Sequence, residues 1–178
     1  MNNVLWTLQV LWGVFFSLNG FGKICWYNQA LWNQALHEVS WFSAVPRDLL
    51  IFIGVCEFLG GIGLILPAMT GVKPKLTPLA GLGLTMVMIL AAVFHIARGE
   101  YAFVLVNVVL GGVAAFIAYG RWFVRPIAPA SIGTFRVLKG LVVLGALVLV
   151  DFAPVWYRLT LTRGTPSAAS AAVMPRLK

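Results

Sequence analysis

Charged residues are scarce in this chain of 178 residues, and acidic residues are the scarcest of all. Only 10% of the residues are charged, against about a quarter in ordinary soluble domains. Five acidic residues stand against 13 lysines and arginines, and 61% of the chain is hydrophobic. This composition excludes a soluble globular protein and predicts an integral membrane protein. Most of the basic residues fall in predicted loops and the tail rather than along a helix face, which favours membrane lipids rather than nucleic acid as a partner.

Cysteine and the usual redox motifs are also missing. Cys25 and Cys56 form no CxxC pair and are too few for a disulfide framework, so we interpret both as packing residues. The sequence has no pair of membrane histidines for a haem and no nucleotide-binding fingerprint. We therefore expect no cofactor or metal site of the chain's own. The N-terminus has no charged leader before its apolar run, which predicts a retained helix rather than a signal peptide.

Long apolar runs dominate what is present. Five segments, residues 4–25, 49–70, 76–97, 101–120 and 137–156, have the length of about 20 residues that crosses a bilayer. Such segments must be helical in hydrocarbon. We predict an all-α membrane protein with a four-helix bundle in residues 1–125. A linker and a fifth transmembrane helix follow in residues 126–163, and a disordered tail occupies residues 164–178.

The connection between the first two spans, residues 26–48, mixes three tryptophans with amide side chains. Aromatic rings with one polar edge favour the membrane surface. We predict an interfacial helix or lid here, with a plain loop as the alternative.

The distribution of lysine and arginine bears on orientation. Six cations lie on the side of the N-terminus: Lys73, Lys75, Arg121, Arg125, Arg136 and Lys139. This excess over the opposite side of the first four helices predicts a cytoplasmic N-terminus. Arg158 and Arg163, after the fifth helix, oppose that assignment. We expect the membrane to be a bacterial inner membrane.

Glu57 is a single carboxylate near the middle of the second span, and such a charge requires a partner, a proton or a water-lined cavity. At 1.5 Å per residue, measured from the end with the long connection, Lys23 lies ~3 Å deep and Glu57 ~13 Å deep. Helical side chains lean toward the N-terminus of their own helix. Because the first and second spans run in opposite directions, the side chains of Lys23 and Glu57 lean toward each other and can meet. Six intramembrane polar residues fall in the same half of the bilayer, namely Asn19, Lys23, Glu57, His95, Asn107 and Asp151.

We predict from this layer a polar cavity that binds a ligand or carries protons, built from Asn19, Lys23, Glu57, His95 and Asn107. The alternative is that these residues only join helices by hydrogen bonds. Asp151 either marks the end of its helix or pairs with the cavity from outside.

Several ordered pieces of the chain resemble the DoxX-like family of small membrane proteins. They are NGFGK at residues 19–23, GVCEFLGGIGLILP at 54–67, LTPLAGLGL at 76–84, AVFH at 92–95, NVVL at 107–110 and YGR at 119–121. The resemblance implies a four-helix membrane protein whose recurring polar positions correspond to Lys23, Glu57, His95 and Asn107. Relatives are linked to quinone-coupled sulfur oxidation, to quinone and catechol resistance, and in animals to receptor assembly. The fifth helix and the tail depart from that pattern.

Two functions follow as hypotheses. In the first, the cavity binds a quinone or a similar small lipophilic molecule and supports a membrane redox partner, as an accessory to an oxidoreductase. In the second, the protein is a non-catalytic scaffold or assembly factor whose glycines pack against a client: Gly60, Gly61, Gly63, Gly111 and Gly112. A second copy of the chain is a further candidate partner. Transport is less favoured, because the chain shows no inverted repeat.

Overall fold

The computed structural model describes residues 1–130 and 134–164, and all regular structure in these ranges is helical. The helices are α1 (Asn2–Cys25), α2 (Gln29–Glu38), α3 (Arg47–Thr70), α4 (Leu76–Ala97), α5 (Tyr101–Tyr119) and α6 (Thr134–Gly164). A short 3₁₀ helix, Ser40–Ala44, follows α2, and a π-helical turn, Gly120–Val124, extends α5. The predicted all-α fold is confirmed for these residues.

Four of these helices are long and apolar enough to cross a membrane, namely α1, α3, α4 and α5 with its π-helical turn. Each begins within two residues of the predicted span. The apolar part of α6, Leu138–Val150, is shorter than a span, so the fifth transmembrane helix stays a prediction. Gly164 belongs to α6 rather than to the predicted tail. Residues 131–133 of the linker and 165–178 of the tail lie outside the described residues.

Helices α1 and α3 pack so closely that their backbones touch. A Cβ on Gly61 would lie 2.5 Å from the carbonyl oxygen of Gly13, and one on Gly54 would lie 2.6 Å from the Cβ of Lys23. Only glycine leaves room for this approach. Gly54 and Gly61 flank Glu57 on one face of α3, so the close contact lies directly beside the acid.

Helices α4 and α5 form a second antiparallel pair. The two pairs contact each other where α3 packs against α4. A Cβ on Gly60 would contact Leu84, and a Cβ on Gly63 would contact Ala80. Four of the five glycines that we assigned to a client surface in the scaffold hypothesis therefore pack inside the chain. That assignment was wrong for Gly60, Gly61, Gly63 and Gly111, and only Gly112 faces open space.

The bundle has two ends. Residues 26–46, which we name the lid segment, connect α1 to α3 and define the lid end. The opposite end contains the start of α1, the end of α3 and Arg121, and we name it the Arg121 end. The guanidinium of Arg47 holds the lid segment in place, because its Nε donates to the Trp26 carbonyl oxygen at 2.9 Å and its Nη1 donates to Gln29 at 3.0 Å. The position of the lid segment at a membrane surface stays a prediction.

Candidate functional site

A cavity of about 550 Å³ lies between the α1/α3 pair and the α4/α5 pair, near the lid end. Helices α3 and α4 approach each other through Gly60 and Gly63, on the side of the Arg121 end, and the cavity lies nearer the lid end. Trp41, Ala44 and Val45 of the lid segment form one wall. All five residues that the sequence singled out line this cavity: Asn19, Lys23, Glu57, His95 and Asn107.

Lys23 and Glu57 form an ion pair inside the bundle. The Nζ of Lys23 lies 2.5 Å from Oε2 of Glu57, and the side chain of Glu57 is only 4% exposed, against 16% for Lys23. We predicted this contact from the relative depth of the two residues, and the close approach of α1 to α3 through glycine lies directly beside it. A lysine ammonium has three donors. The pair therefore leaves Lys23 with hydrogens for a second acceptor in the cavity.

His95 connects the cavity with the surface of the lid end. Its Nδ1 lies 2.6 Å from Oε2 of Glu100, and Glu100 in turn accepts from Arg98 at 3.0 Å. Because an ionised carboxylate only accepts, Nδ1 is the protonated ring nitrogen and Nε2 is left for other partners. Hydrogen bonds from Arg98 and then His95 hold the pKa of the Glu100 carboxyl below its ordinary value of 4.5.

The ring of His95 is held in one orientation by aromatic neighbours. It stacks on the ring of Phe103 with ring centres 4.9 Å apart, and the ring of Trp41 lies nearly perpendicular to it with ring centres 5.1 Å apart. The side chain is buried. Trp41 also carries a buried indole N–H without a hydrogen-bond partner among the described residues. The sequence predicts His95 near the end of its helix, and in the structure the ring of Trp41, from the lid segment, packs against His95 at that end.

Asn19 and Asn107 each use part of their hydrogen-bonding capacity within their own helix. The Nδ2 of Asn19 donates to the Phe15 carbonyl oxygen at 2.8 Å, and the Nδ2 of Asn107 donates to the Phe103 carbonyl oxygen at 2.8 Å. Among the described residues, neither side chain bonds to the other or to the ion pair, so these two asparagines do not join helices in the way that the structural alternative requires. Each keeps an acceptor oxygen and one N–H.

Most of the remaining wall is apolar, with aromatic and aliphatic side chains from four helices: Phe16, Phe52, Ile53, Met88, Phe94 and Leu110. The side chain of Asp151 lies outside the described residues, so its pairing with the cavity stays a prediction. In the part of the chain that the structure describes, no group of three metal-ligating side chains occurs.

A second polar cluster, at the Arg121 end, was missed by the sequence argument. The side chain of Arg121 is only 4% exposed, and its Nε donates to Oε1 of Gln9 while its Nη1 donates to Asn2 at 2.9 Å. Gln9 is fully buried and donates to the Leu64 carbonyl oxygen at 2.8 Å. The ring of Trp6 lies 4.9 Å from the guanidinium carbon. Applying the depth argument to the other half of the bundle would have paired Gln9 with Arg121.

Four membrane-length helices around a largely apolar cavity with five polar side chains define a small polytopic integral membrane protein. The model of the DoxX-like family matches residues 7–118, which is well over half of the chain. The chain belongs to the DoxX-like family, as the resemblance implied. Comparison with curated proteins and with solved structures gives no match.

Proposed function

We propose that this protein binds a quinone or a similar small lipophilic molecule in the cavity at the lid end and supports a membrane redox partner. The observation that carries the proposal is the cavity itself, which combines apolar walls with five polar side chains from four helices. Its volume of about 550 Å³ lies within the roughly 300–1,000 Å³ of ordinary ligand sites.

The polar groups of the cavity suit a ligand with carbonyl oxygens. Lys23 offers an ammonium whose charge is balanced by Glu57 at 2.5 Å. Asn19 and Asn107 each keep an amide N–H after bonding to their own helices. A quinone presents acceptor oxygens at opposite edges of an apolar ring, so donors set into an apolar wall match its chemistry.

A bound quinone that is reduced takes up electrons and protons together. The protons can come from Lys23, from Glu57 or from His95, which the Glu100 carboxylate connects to the lid-end surface. The electrons must come from the redox centre of a partner oxidoreductase in the membrane. The chain's role in this proposal is to bind the quinone, orient it and provide protons.

The test is direct binding of a short-chain benzoquinone to the full-length protein in detergent micelles. We expect saturable binding that weakens on Glu57→Gln, because the neutral amide no longer balances Lys23. Asp48→Asn is the matched control, since Asp48 is an exposed acid on the same helix and does not line the cavity.

A second pair of variants tests whether the quinone occupies the cavity, independently of the charge of Glu57. Ala91→Phe places a ring in the cavity wall and should abolish binding, whereas Ala97→Phe, on the same helix and exposed, should not. No binding by the unaltered protein, or equal binding by both phenylalanine variants, rejects the proposal. Absence of binding together with a stoichiometric crosslinked client would favour the scaffold hypothesis.

We also propose a bacterial inner-membrane location with the Arg121 end in the cytoplasm, because exposed Lys73, Lys75 and Arg125 lie there. A membrane-impermeant thiol reagent applied to intact cells should label Arg98→Cys and leave Lys75→Cys unlabelled. The reverse pattern would invert the orientation.

A further inference from the structure

The cavity at the lid end extends into a gap between α3 and α4. A Cβ on Gly60 would lie 2.6 Å from the side chain of Leu84, so the two helices touch at that level. Toward the lid end, the same face of α3 continues with Cys56 and Ile53, and the same face of α4 continues with Ala91. These three side chains line the cavity. The two helices therefore border the cavity on either side of a gap once they pass the glycine contact.

The outer margin of this gap consists of exposed apolar side chains. Leu49, Phe52 and Leu90 line the cavity, and Phe52 is 63% exposed and Leu90 62% exposed. Counted from the ends of α3 and α4 at the lid end, Phe52 lies roughly 8 Å deep and Leu90 roughly 10 Å deep. Both levels belong to the hydrocarbon core, whose half-thickness is about 15 Å. We name the gap with this margin the lateral opening, because it faces acyl chains.

Aromatic side chains of the lid segment cover the cavity at its lid end. The ring of Trp41 packs on His95 and on Phe42, with ring centres 5.1 Å and 4.5 Å apart. Phe42 packs in turn on Trp26 with ring centres 4.5 Å apart, and Arg47 donates to the carbonyl oxygen of Trp26. The lateral opening is bordered only by single exposed side chains. The cavity is therefore covered toward the water and open toward the lipid.

The side of the cavity between α1 and α5 is more polar. Asn19 of α1 and Asn107 of α5 line it, and the indole Nε1 of Trp12 donates to the Leu110 carbonyl oxygen at 3.0 Å, which joins these two helices. A hydrocarbon tail against the two amides would deprive their free oxygens and N–H groups of partners. A ring with carbonyl oxygens suits this side, and a hydrocarbon tail suits the lateral opening.

We propose that the ligand of this cavity is a quinone with a long isoprenoid or alkyl tail, which enters from the bilayer through the lateral opening. Its ring lies among Lys23, Asn19 and Asn107, and its tail passes between Phe52 and Leu90 into the acyl chains. This proposal rests on the proposed function and names the class of quinone. Because the tail stays in lipid, only the ring has to leave the bilayer.

The experiment uses the full-length protein in phospholipid nanodiscs and two radiolabelled probes with the same ring. One is a dimethoxy-methyl benzoquinone with a decyl tail, and the other is the same benzoquinone without a tail. Equilibrium binding is measured, and empty nanodiscs correct for partition into lipid. We expect the unaltered protein to bind both probes saturably, since both carry the ring that the cavity holds.

A tryptophan at the margin of the lateral opening separates the two probes. Leu90→Trp should weaken binding of the tailed quinone about tenfold, which corresponds to about 1.4 kcal/mol, and should change binding of the other probe less than about twofold. Ile89→Trp is the matched control, because Ile89 is the neighbouring residue, is 52% exposed and does not line the cavity. It should change neither affinity.

A photoreactive diazirine in the tail, close to the ring, locates the tail directly. Labelling that excess unlabelled quinone suppresses should map to Phe52 and Leu90. Leu59 reports the background from bulk lipid, because it is 61% exposed on the same helix as Phe52 and does not line the cavity. Its labelling should not be suppressed.

The outcomes distinguish this proposal from the proposed function. If neither probe binds to the unaltered protein, the proposed function fails and this proposal fails with it. If only the probe without a tail binds, or if Leu90→Trp weakens both probes equally, the quinone site stands and the tail route is rejected. Suppressible labelling at Phe15 and Val106, which line the cavity from α1 and α5, would also overturn the route. If Leu90→Trp fails to fold, the labelling of the unaltered protein still decides the question.

Discussion

The two polar clusters of the bundle accommodate buried charge in different ways. At the lid end, Lys23 is neutralised by Glu57, and the pair borders a cavity of about 550 Å³. At the Arg121 end, the guanidinium is surrounded by Gln9, Asn2 and Trp6, and no carboxylate among the side chains that the structure describes contacts it. The first cluster borders the cavity, where Asn19 and Asn107 each keep an N–H that their own helices do not use. The second joins α1 to the π-helical turn after α5 through the hydrogen bonds from Arg121 to Gln9 and Asn2. The first therefore suits ligand exchange, and the second suits structural stability.

Gln9→Leu should have the largest effect, because it removes both hydrogen bonds of Gln9 and leaves Nε of Arg121 buried without a partner. Removing the partner of a buried charged group costs about 3 kcal/mol in the free energy of unfolding. Unfolding in mixed micelles, followed by circular dichroism, measures it. Quinone binding at the lid end should be unchanged in the protein that remains folded. A loss under about 1 kcal/mol would contradict the structural role of the Arg121 cluster.

Gly20→Ala tests the close approach that brings Lys23 to Glu57. Its Cβ would lie 2.5 Å from the carbonyl oxygen of Gly54, which is backbone and cannot rotate away. Overpacking of this kind costs about 2 kcal/mol, and separating α1 from α3 should also weaken quinone binding. Gly22→Ala is the control, because a Cβ there meets nothing within 4 Å and alanine is the better helix former. Equal stability of the two variants would show that the helices separate at little cost.

Glu57→Gln should lower the free energy of unfolding by about 1 kcal/mol, which is less than the effect of Gln9→Leu. The cost is smaller because Lys23, left without its carboxylate, is 16% exposed and borders the cavity. The same unfolding assay measures it, with Asp48→Asn as the reference. The free energy of quinone binding should decrease by more than the free energy of unfolding does. The opposite order would place the ion pair with the structural cluster rather than with a binding site.

Glu100→Gln should have the smallest effect and one that depends on pH. The pKa of Glu100 is lowered in the folded protein by Arg98 and His95, so its carboxylate stabilises the fold above its ordinary pKa of 4.5 and the stabilisation is lost as pH falls through the lowered value. The difference in unfolding midpoint between the unaltered protein and the variant should therefore shrink on acidification from neutral pH. A difference that stays constant would show that the His95 contact does not depend on charge.

The helices and the cavity residues were predictable to different degrees. Spans were read from apolar length alone, and α4 begins and ends at the predicted residues. The layer that includes Glu57 and His95 followed from depth, since alternating helices fix the level of each side chain. The pairing of His95 with Glu100 and the cover provided by Trp41 were not predicted, because both depend on how the connecting segments fold back over the helix ends.

Hydrophobic length by itself determined that this chain crosses a membrane, where the four helices of the bundle begin, and at which level their polar residues lie. The hydrocarbon core of the bilayer imposes these features, because a backbone that crosses it must form helical hydrogen bonds and a charged side chain there requires a partner. Only the tertiary structure decided which partner each residue has. Glycine occurs in all four helices of membrane length, but Gly60 and Gly61 pack inside the chain while Gly112 does not. That choice depends on helix rotation and contact between distant segments, which side-chain periodicity alone does not specify.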